Sequence, residues 1–351
     1  MADNILYDPV HPDAATSFVR KIPVPSDHAL SKYLPDREIA GHRVEVTEAV
    51  LISRTAQFRS FDAQPTRLER DGYSKRELGL LPLTVEGGYG ELERLKIDSM
   101  RLKGTNEQPI VEAIYDDLTN GVEAVRNRIE LARGELLSTG KVQINENGIN
   151  GAVADFKVPA SHFPSTAVEW SDVETSTPIE DLAAWVLAYK QANGFAPAGM
   201  IVSRQTLSYL QRNKEIRIHN NLQAVGGPTL VGLDVVSNTL ANFMLPPIVE
   251  VYDTILNDPV SGAPVRVMPE NQVVFVTPTA KDLGETIFGA PTASRALAAS
   301  SATEMSMESA PGLIGMVIQE PDFPYQEKVI VDGIALPILN SPKALFAPTV
   351  Y

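Results

Sequence analysis

The sequence predicts an α+β protein organised around one long helix. Between residues 106 and 138, apolar residues recur every three or four positions, which is the spacing of one buried helix face. This stripe consists of Ile110, Ile114, Leu118, Val122, Val125, Ile129, Ala132 and Leu136. Strand-like segments lie before and after this helix, and helices alternate with strands at about residues 177–280. A long helix, peripheral strands and a compact α/β unit together indicate the α+β class.

The long helix has a start signal and a stop signal. Asn106 is suited to cap it, and Pro109 is tolerated in a first helical turn. The helix is expected to end at Thr139-Gly140, where the chain turns directly into a strand. At about 1.5 Å per residue such a helix is roughly 45–50 Å long. Because globular helices average about three turns, this one is predicted to be a structural support.

The chain before this helix divides into two parts. Residues 1–50 contain five prolines and show no helical or strand period beyond a few residues, so they predict either a floppy terminus or an extended arm. From Val44 to about Lys103 the pattern favours strands, and acidic and basic residues are interleaved along a predicted hairpin. A solvated hairpin of this kind is marginally stable, so we favour an arm that lies across a neighbouring subunit.

Capping and turn signals outline the α/β unit and the last strands. Thr177, Pro178 and Glu180 form a predicted capping box, and Asn193-Gly194 is a stop signal. Ser203 is suited to cap a second short helix. Four stretches are predicted as strands: AGMIVS, GLDVVSN, IVEVYDTIL and NQVVFVTP. Asp332-Gly333 predicts a hairpin turn between the last strands.

Composition limits the possible functions. The 351 residues include no cysteine, which excludes disulfides and thiolate chemistry. The net charge is −14 at pH 7, and it is uneven: residues 1–110 hold 17 acidic and 15 basic residues, whereas residues 111–351 hold 27 and 15. Because nonspecific nucleic-acid binding depends on basic side chains that neutralise phosphates, such binding is not expected. The N-terminal sequence does not resemble a signal peptide, and no apolar run is long enough for a membrane span.

The sequence contains no recognisable catalytic, metal or cofactor motif. The five histidines are isolated from one another and from carboxylate clusters. No nucleophile elbow or phosphate-binding loop is present. We therefore predict a protein that is not an enzyme, with no cofactor and no metal.

Several segments, in order along residues 107–351, carry a resemblance to a known family. They are RNRIELARGELLSTGKVQI, VEWSDVETSTPIEDLAAWV, APAGMIVSRQTLSYLQRNKEI, PIVEVYDTILNDPVSGAPVRVMPENQVVFVTP, LGETIFGAPTA and ALPILNSPKALFAPTVY. Together they resemble the lambda-like major capsid proteins of tailed bacteriophages, the phage capsid E family, which have the Hong Kong 97 type fold. Their common order along residues 107–351 makes the match specific.

This resemblance implies a division of the chain. Residues 1–54 correspond to an N-terminal arm, and residues 55–105 to the extended hairpin called the E-loop. Residues 106–177 and 306–351 correspond to a peripheral domain that includes the spine helix, 106–138. Residues 178–305 correspond to an axial α/β domain.

The same resemblance implies a function. The chain is expected to assemble as pentamers and hexamers into an icosahedral head shell of the virion, formed in the host cytoplasm around double-stranded DNA. Residues 1–50 are too short and too poor in helical pattern for a fused scaffolding domain. A separate scaffolding protein is therefore implied, together with a portal and a decoration protein. Some relatives crosslink their shells through Lys and Asn side chains, but no acceptor Asn and activating Glu can be assigned to Lys75, so a non-crosslinked shell is expected.

Seven charged residues are the predicted inter-subunit contacts. They are Arg67, Arg70, Lys75, Arg76 and Glu77 at the E-loop tip, and Arg126 and Arg128 on the long helix. Two other functions remain as alternatives: an encapsulin-like compartment, which shares the fold and encloses enzymes, and a cytosolic enzyme with its active site in the α/β unit.

Overall fold

A computed structural model describes residues 5–6, 10–48, 74–89, 108–220, 229–299, 311–320 and 326–351. In these residues the helices are α1 (Pro12–Lys21), α2 (Gln108–Thr139), α3 (Pro178–Asn193), α4 (Arg204–Arg212), α5 (Lys214–His219), α6 (Leu233–Asn242), α7 (Ala280–Leu283) and α8 (Thr292–Ala299). Short 3-10 turns cover Ala29–Lys32, Ala160–His162 and Pro342–Ala344.

The strands of the described residues are β1 (Ile5–Leu6), β2 (Asp36–Glu38), β3 (Arg43–Glu48), β4 (Ser74–Gly79), β5 (Leu81–Tyr89), β6 (Lys141–Glu146), β7 (Ile149–Asp155), β8 (Gly199–Val202), β9 (Ile248–Val251), β10 (Ile255–Asn257), β11 (Pro264–Arg266), β12 (Val274–Val276), β13 (Gly284–Phe288), β14 (Ile314–Glu320) and β15 (Gln326–Leu339). The main sheet has the order β1-β14-β15-β13-β2, and β5 also pairs with β15. A smaller sheet has the order β12-β8-β9, and three ribbons pair β3 with β4, β6 with β7 and β10 with β11.

Helix α2 lies against the main sheet and joins two hydrophobic cores. Its first half contributes Ile114, Leu118 and Val122 to a core shared with α1 and strands β14 and β15. Its second half contributes Leu136 and Leu137 to a second core, beside the smaller sheet. The predicted apolar stripe from Ile114 to Leu136 is therefore confirmed as the buried face of this helix.

The α/β unit has its own core on the other face of the smaller sheet. Helices α3 to α6 cover that face, and Trp170 stacks on Trp185 with ring centroids 5.8 Å apart. The C-terminal segment enters the same core, where Phe346 accepts a hydrogen bond from Phe275 through backbone atoms 3.0 Å apart. Residues far apart in the sequence thus meet in the core of this unit.

The prediction of no helical period in residues 1–50 was wrong. Helix α1 begins after His11, and Ala15, Thr16 and Val19 form its buried face. The apolar positions are small and few, so the pattern is short, but the helix packs on β14: Thr16 Oγ1 donates to the Gly315 carbonyl at 3.0 Å. The described part of this segment is therefore folded onto its own chain.

Two local predictions in the second half were also wrong. The stretch GLDVVSN is the start of α6 and not a strand, because Val236 and Leu240, four residues apart, both face the core. Asp332-Gly333 is not a turn, because β15 passes through it with β14 on one side and β5 on the other. Thr84 Oγ1 donates to the Asp332 carboxylate at 2.7 Å, which satisfies this buried side chain within the sheet.

The capping signals gave mixed results. Thr177 does occupy the N-cap of α3, but its side chain makes no capping hydrogen bond, so the predicted capping box does not form. Gly194 ends α3 in the left-handed region with φ 78°, as the Asn-Gly signal predicts. Ser203 caps α4 by accepting a hydrogen bond from the Thr206 amide. The segment IVEVYDTIL forms two strands, β9 and β10, instead of one.

Candidate subunit interface

The β3–β4 ribbon contains part of the predicted interface. Its two antiparallel strands pair Arg43 with Gly79 and Glu48 with Ser74. Its base is anchored, since Val44 and Leu80 are buried in the core beside α2. The outer side chain Glu77 is exposed and forms an ion pair with Arg43 at 3.2 Å. The ribbon is therefore attached at one end and pairs with no third strand in the described residues.

The structure describes three of the five residues predicted for the E-loop tip. Arg67 and Arg70 lie outside the described residues. Lys75 and Arg76 lie in β4, opposite Thr47 and Val46. Glu77 follows them in the same strand, so three of the five predicted tip residues are consecutive in one strand of this ribbon.

Arg126 holds the N-terminal segment against α2. Its Nη2 donates to the Ile22 carbonyl at 2.7 Å, and its Nη1 donates to the Pro23 carbonyl. Burial lowers the pKa of this guanidinium from its usual range, and the nearby Asp36 carboxylate acts in the opposite direction. The side chain thus satisfies two backbone carbonyls at and just after the C-cap of α1.

Arg128 holds the β6–β7 ribbon against the other side of α2. Its Nε and Nη2 donate to Glu146 Oε1 at 2.8 and 2.6 Å. The two side chains line two clefts of about 280 and 490 Å³. Pro259, from the loop between β10 and β11, lines both. Arg126 and Arg128 therefore both have partners within their own chain.

Glu130 lies on α2 outside the predicted apolar stripe, and the sequence analysis did not predict that it is buried. Its side chain is completely buried and accepts three hydrogen bonds. Oε1 accepts from the Leu30 amide at 3.0 Å and from the Tyr252 hydroxyl at 2.9 Å, and Oε2 accepts from Arg133 Nη1 at 3.1 Å. One carboxylate thus connects the N-terminal segment, the long helix and the α/β unit.

Arg133 extends this network into the main sheet. Its Nε donates to Thr286 Oγ1 at 2.9 Å, and its Nη2 forms an ion pair with Asp36. Thr286 Oγ1 donates in turn to the Leu34 carbonyl at 3.0 Å. Burial raises the pKa of Asp36, and Arg133 and Arg126 oppose that shift. The i,i+3 spacing of Glu130 and Arg133 was the available signal in the sequence, but it is common on solvated helices.

The structure offers little for chemistry. In the described residues, no group of three or more His, Cys, Asp or Glu side chains is arranged to hold a metal ion. The 280 Å³ cleft is lined mainly by apolar side chains, including Leu83, Val85, Ile129 and Ile144. No helix in the described parts of the chain is long and apolar enough to cross a membrane.

Comparison with models of protein families identifies the family of this chain. The model for the family described as phage major capsid protein E matches residues 13–350. The chain belongs to this family. It is thus a capsid protein of a bacteriophage, a structural protein of the virion shell. No curated protein matches the chain by sequence.

Solved structures agree on the fold. A prophage protein of E. coli CFT073, assigned as a capsid protein, has a TM-score of 0.62 at 14% identity, and the match covers 100% of both chains. A phage-related protein of Bordetella bronchiseptica RB50 has a TM-score of 0.59 at 13% identity, with 97% of this chain and 96% of that chain covered. The predicted α+β capsid fold is confirmed at this level.

Proposed function

We propose that the chain assembles as pentamers and hexamers into an icosahedral head shell around double-stranded phage DNA. The observation that carries this proposal is the family match over residues 13–350, which includes nearly the whole chain. A shell subunit needs several surfaces that contact copies of itself. The architecture supports this role, since α2 packs on the main sheet and two-stranded ribbons extend the fold beyond this body.

In this proposal the β3–β4 ribbon is the attached end of an E-loop that lies over a neighbouring copy. Two-stranded ribbons are marginally stable alone, and the described part of this one is anchored at its base, where Val44, Leu78 and Leu80 pack in the core. The charged residues Arg67, Arg70, Lys75, Arg76 and Glu77 would form paired contacts with that neighbour. Complementary charges of this kind fix the register of an interface more than they add affinity.

The remaining domains follow the same proposal. Residues 106–177 and 306–351, with α2 as the spine helix, form the peripheral domain. Residues 178–305 form the axial domain, which meets its copies around the five- and six-fold axes. Residues 1–54 form the N-terminal arm, and its described part packs on α2 and β14. Arg126 holds the arm in place and Arg128 holds the β6–β7 ribbon in place. Both residues therefore contribute indirectly to the inter-subunit contacts that these segments make.

The charge of the chain supports DNA enclosure without tight binding. With 44 acidic and 30 basic residues, the chain has a net charge of −14, which disfavours tight binding to phosphates. We propose that a separate scaffolding protein directs assembly in the host cytoplasm, that a portal occupies one vertex, and that a decoration protein stabilises a shell without covalent crosslinks. The family resemblance is the support for these partners.

Electron microscopy of particles from cells that make this chain with a scaffolding protein tests the proposal. Icosahedral shells containing pentamers and hexamers are expected, and shells isolated from phage should contain DNA. Shells that enclose a host enzyme would instead favour an encapsulin-like compartment. Small oligomers of folded chain, obtained with the scaffolding protein present, would overturn the proposal.

A further inference from the structure

Met244, just after α6, combines two unfavourable features. The residue is 87% exposed, and its backbone has φ 53°, in the left-handed region that favours glycine. The Leu245 amide donates to the Leu240 carbonyl at 2.9 Å, which closes the helix end around this residue. In an isolated chain, glycine at this position would be more stable than methionine. A methionine at this position therefore indicates that its side chain has a role outside its own subunit.

Met244 belongs to a larger apolar surface, which we name the tip patch: Ile218, Phe243 and Met244. Ile218 is 49% exposed and Phe243 is 41% exposed. The Phe243 ring packs edge-on against His219 at 4.7 Å, which joins the end of α5 to the end of α6. Ala241 and Asn242, which directly precede Phe243, are exposed and uncharged. Exposed apolar side chains that are grouped in this way mark protein contact surfaces.

Helix α3 carries a second exposed apolar surface. Eight consecutive apolar residues run from Leu182 to Tyr189. Leu182, Trp185, Val186 and Tyr189 face the core. The outer surface, which we name the helix patch, consists of Ala183, Ala184, Leu187 and Ala188, and Leu187 is 58% exposed. A helix that is apolar on all sides is normally covered on all sides.

We propose that the tip patch of one copy packs against the helix patch of the next copy around a capsomer. This inference rests on the proposed assembly into pentamers and hexamers. Two different apolar surfaces on one subunit form a heterologous contact, and a heterologous contact that closes generates a ring. The small alanines beside Leu187 leave room for the long, flexible Met244 side chain.

The chemistry of the two patches favours a second copy over a charged partner. Their central residues are uncharged, whereas Glu180 and Lys190 lie at the two ends of the exposed α3 surface and have no ion-pair partner in the described part of the chain. Each patch has only three or four apolar side chains, too few for a contact that is stable by itself, since a stable interface buries roughly 1,000 Å². The contact therefore acts only within a ring, where it is repeated, and does not form a dimer in solution.

The substitution Met244→Gly separates folding from assembly. It removes both the backbone strain and the apolar side chain, so the isolated chain should melt at an equal or higher temperature, and the yield of particles should fall at least tenfold. Asn147→Gly is the matched control, because Asn147 also has a positive φ, 46°, and an exposed polar side chain. That variant should assemble normally. Normal particle yield from Met244→Gly would overturn the proposal.

Cysteine pairing tests the partner directly, since the chain has no cysteine. The double variant Ala188→Cys, Asn242→Cys keeps Leu187 and Met244 in place, because both substituted positions are exposed neighbours of these residues. It should give oxidised particles whose denatured chains form a ladder up to five and six subunits. Each single variant should give no crosslink, because a heterologous contact never brings a residue to its own copy. Dimers from the Ala188→Cys single variant, or particles of the double variant without crosslinks, would overturn the pairing. Absence of all particles in the unmodified chain would instead overturn the proposed function.

Discussion

The Tyr252 hydroxyl donates a hydrogen bond to Glu130 Oε1 at 2.9 Å, and both side chains are buried. Tyr252 lies between β9 and β10, whereas Glu130 lies on α2, 122 residues earlier. Burial raises the pKa of the Tyr252 hydroxyl, and the Glu130 carboxylate raises it further, so the hydroxyl keeps its proton and remains a donor. This contact connects the α/β unit to the long helix through a group that water does not reach.

Tyr252→Phe should therefore destabilise the chain. It leaves a buried carboxylate oxygen with one donor instead of two, and the expected loss in the free energy of unfolding is about 1–3 kcal/mol. Tyr209→Phe is the control, since Tyr209 is half-buried and its hydroxyl has no hydrogen bond in the described residues. Denaturant unfolding of the unassembled chain measures both variants. Equal stability of the two would show that the Tyr252 hydrogen bond contributes little.

Gly134→Ala should also destabilise the chain, although alanine normally favours a helix by about 1 kcal/mol. A Cβ at this position of α2 would lie 2.0 Å from the Val267 carbonyl oxygen, which is backbone and cannot rotate away. The expected loss is about 1–3 kcal/mol. Gly121→Ala is a graded comparison, because its nearest atom is a Val331 methyl carbon at 2.7 Å, and that side chain can change rotamer. A stabilised Gly134→Ala variant would contradict the close approach of the two segments.

Asp155 should make stability depend on pH below about 4. Hydrogen bonds from the Lys157 side chain and amide lower the pKa of this carboxyl to about 2, with a further contribution from Lys141. Because the folded pKa lies below the unfolded value, the stabilisation is complete above about pH 4 and is lost as the pH falls toward 2. Asp155→Asn should therefore lose less stability than the unmodified chain over that interval. If the denaturation midpoints of the variant and the unmodified chain changed with pH in parallel, this contribution of Asp155 would be excluded.

Reversing two charges in the proposed E-loop should block assembly without unfolding the subunit. In Arg70→Glu, Arg76→Glu, the contacts with acidic groups of a neighbour become repulsive. Particle yield should fall at least tenfold, while circular dichroism of the chain stays unchanged. Lys281→Glu, at an exposed helix position, is the control and should assemble. Normal particles from the double variant would remove these residues from the interface.

Much of the framework was predictable, because long periodic segments contain many agreeing signals. The stripe of α2 and the stop at Gly194 were confirmed for this reason. Short elements were less predictable. The start of α6 contains Val235 and Val236, which favour strands locally, and packing against the α/β core selected the helix. Helix α1 has only a few buried positions, and they can be recognised as a buried face only from the packing of the helix on β14.

The polar network around Glu130 could not be predicted, for a related physical reason. Charged residues three positions apart on a helix are usually solvated, and burial depends on what lies opposite them. Here the opposite groups are Leu30, Asp36, Tyr252 and Thr286, which come from three distant parts of the chain. Local sequence specified where the long helix lies and which face is apolar, because both depend on spacing along the chain. Tertiary packing selected the buried charges and the exposed apolar patches, because both depend on distances between segments that the chain order does not contain.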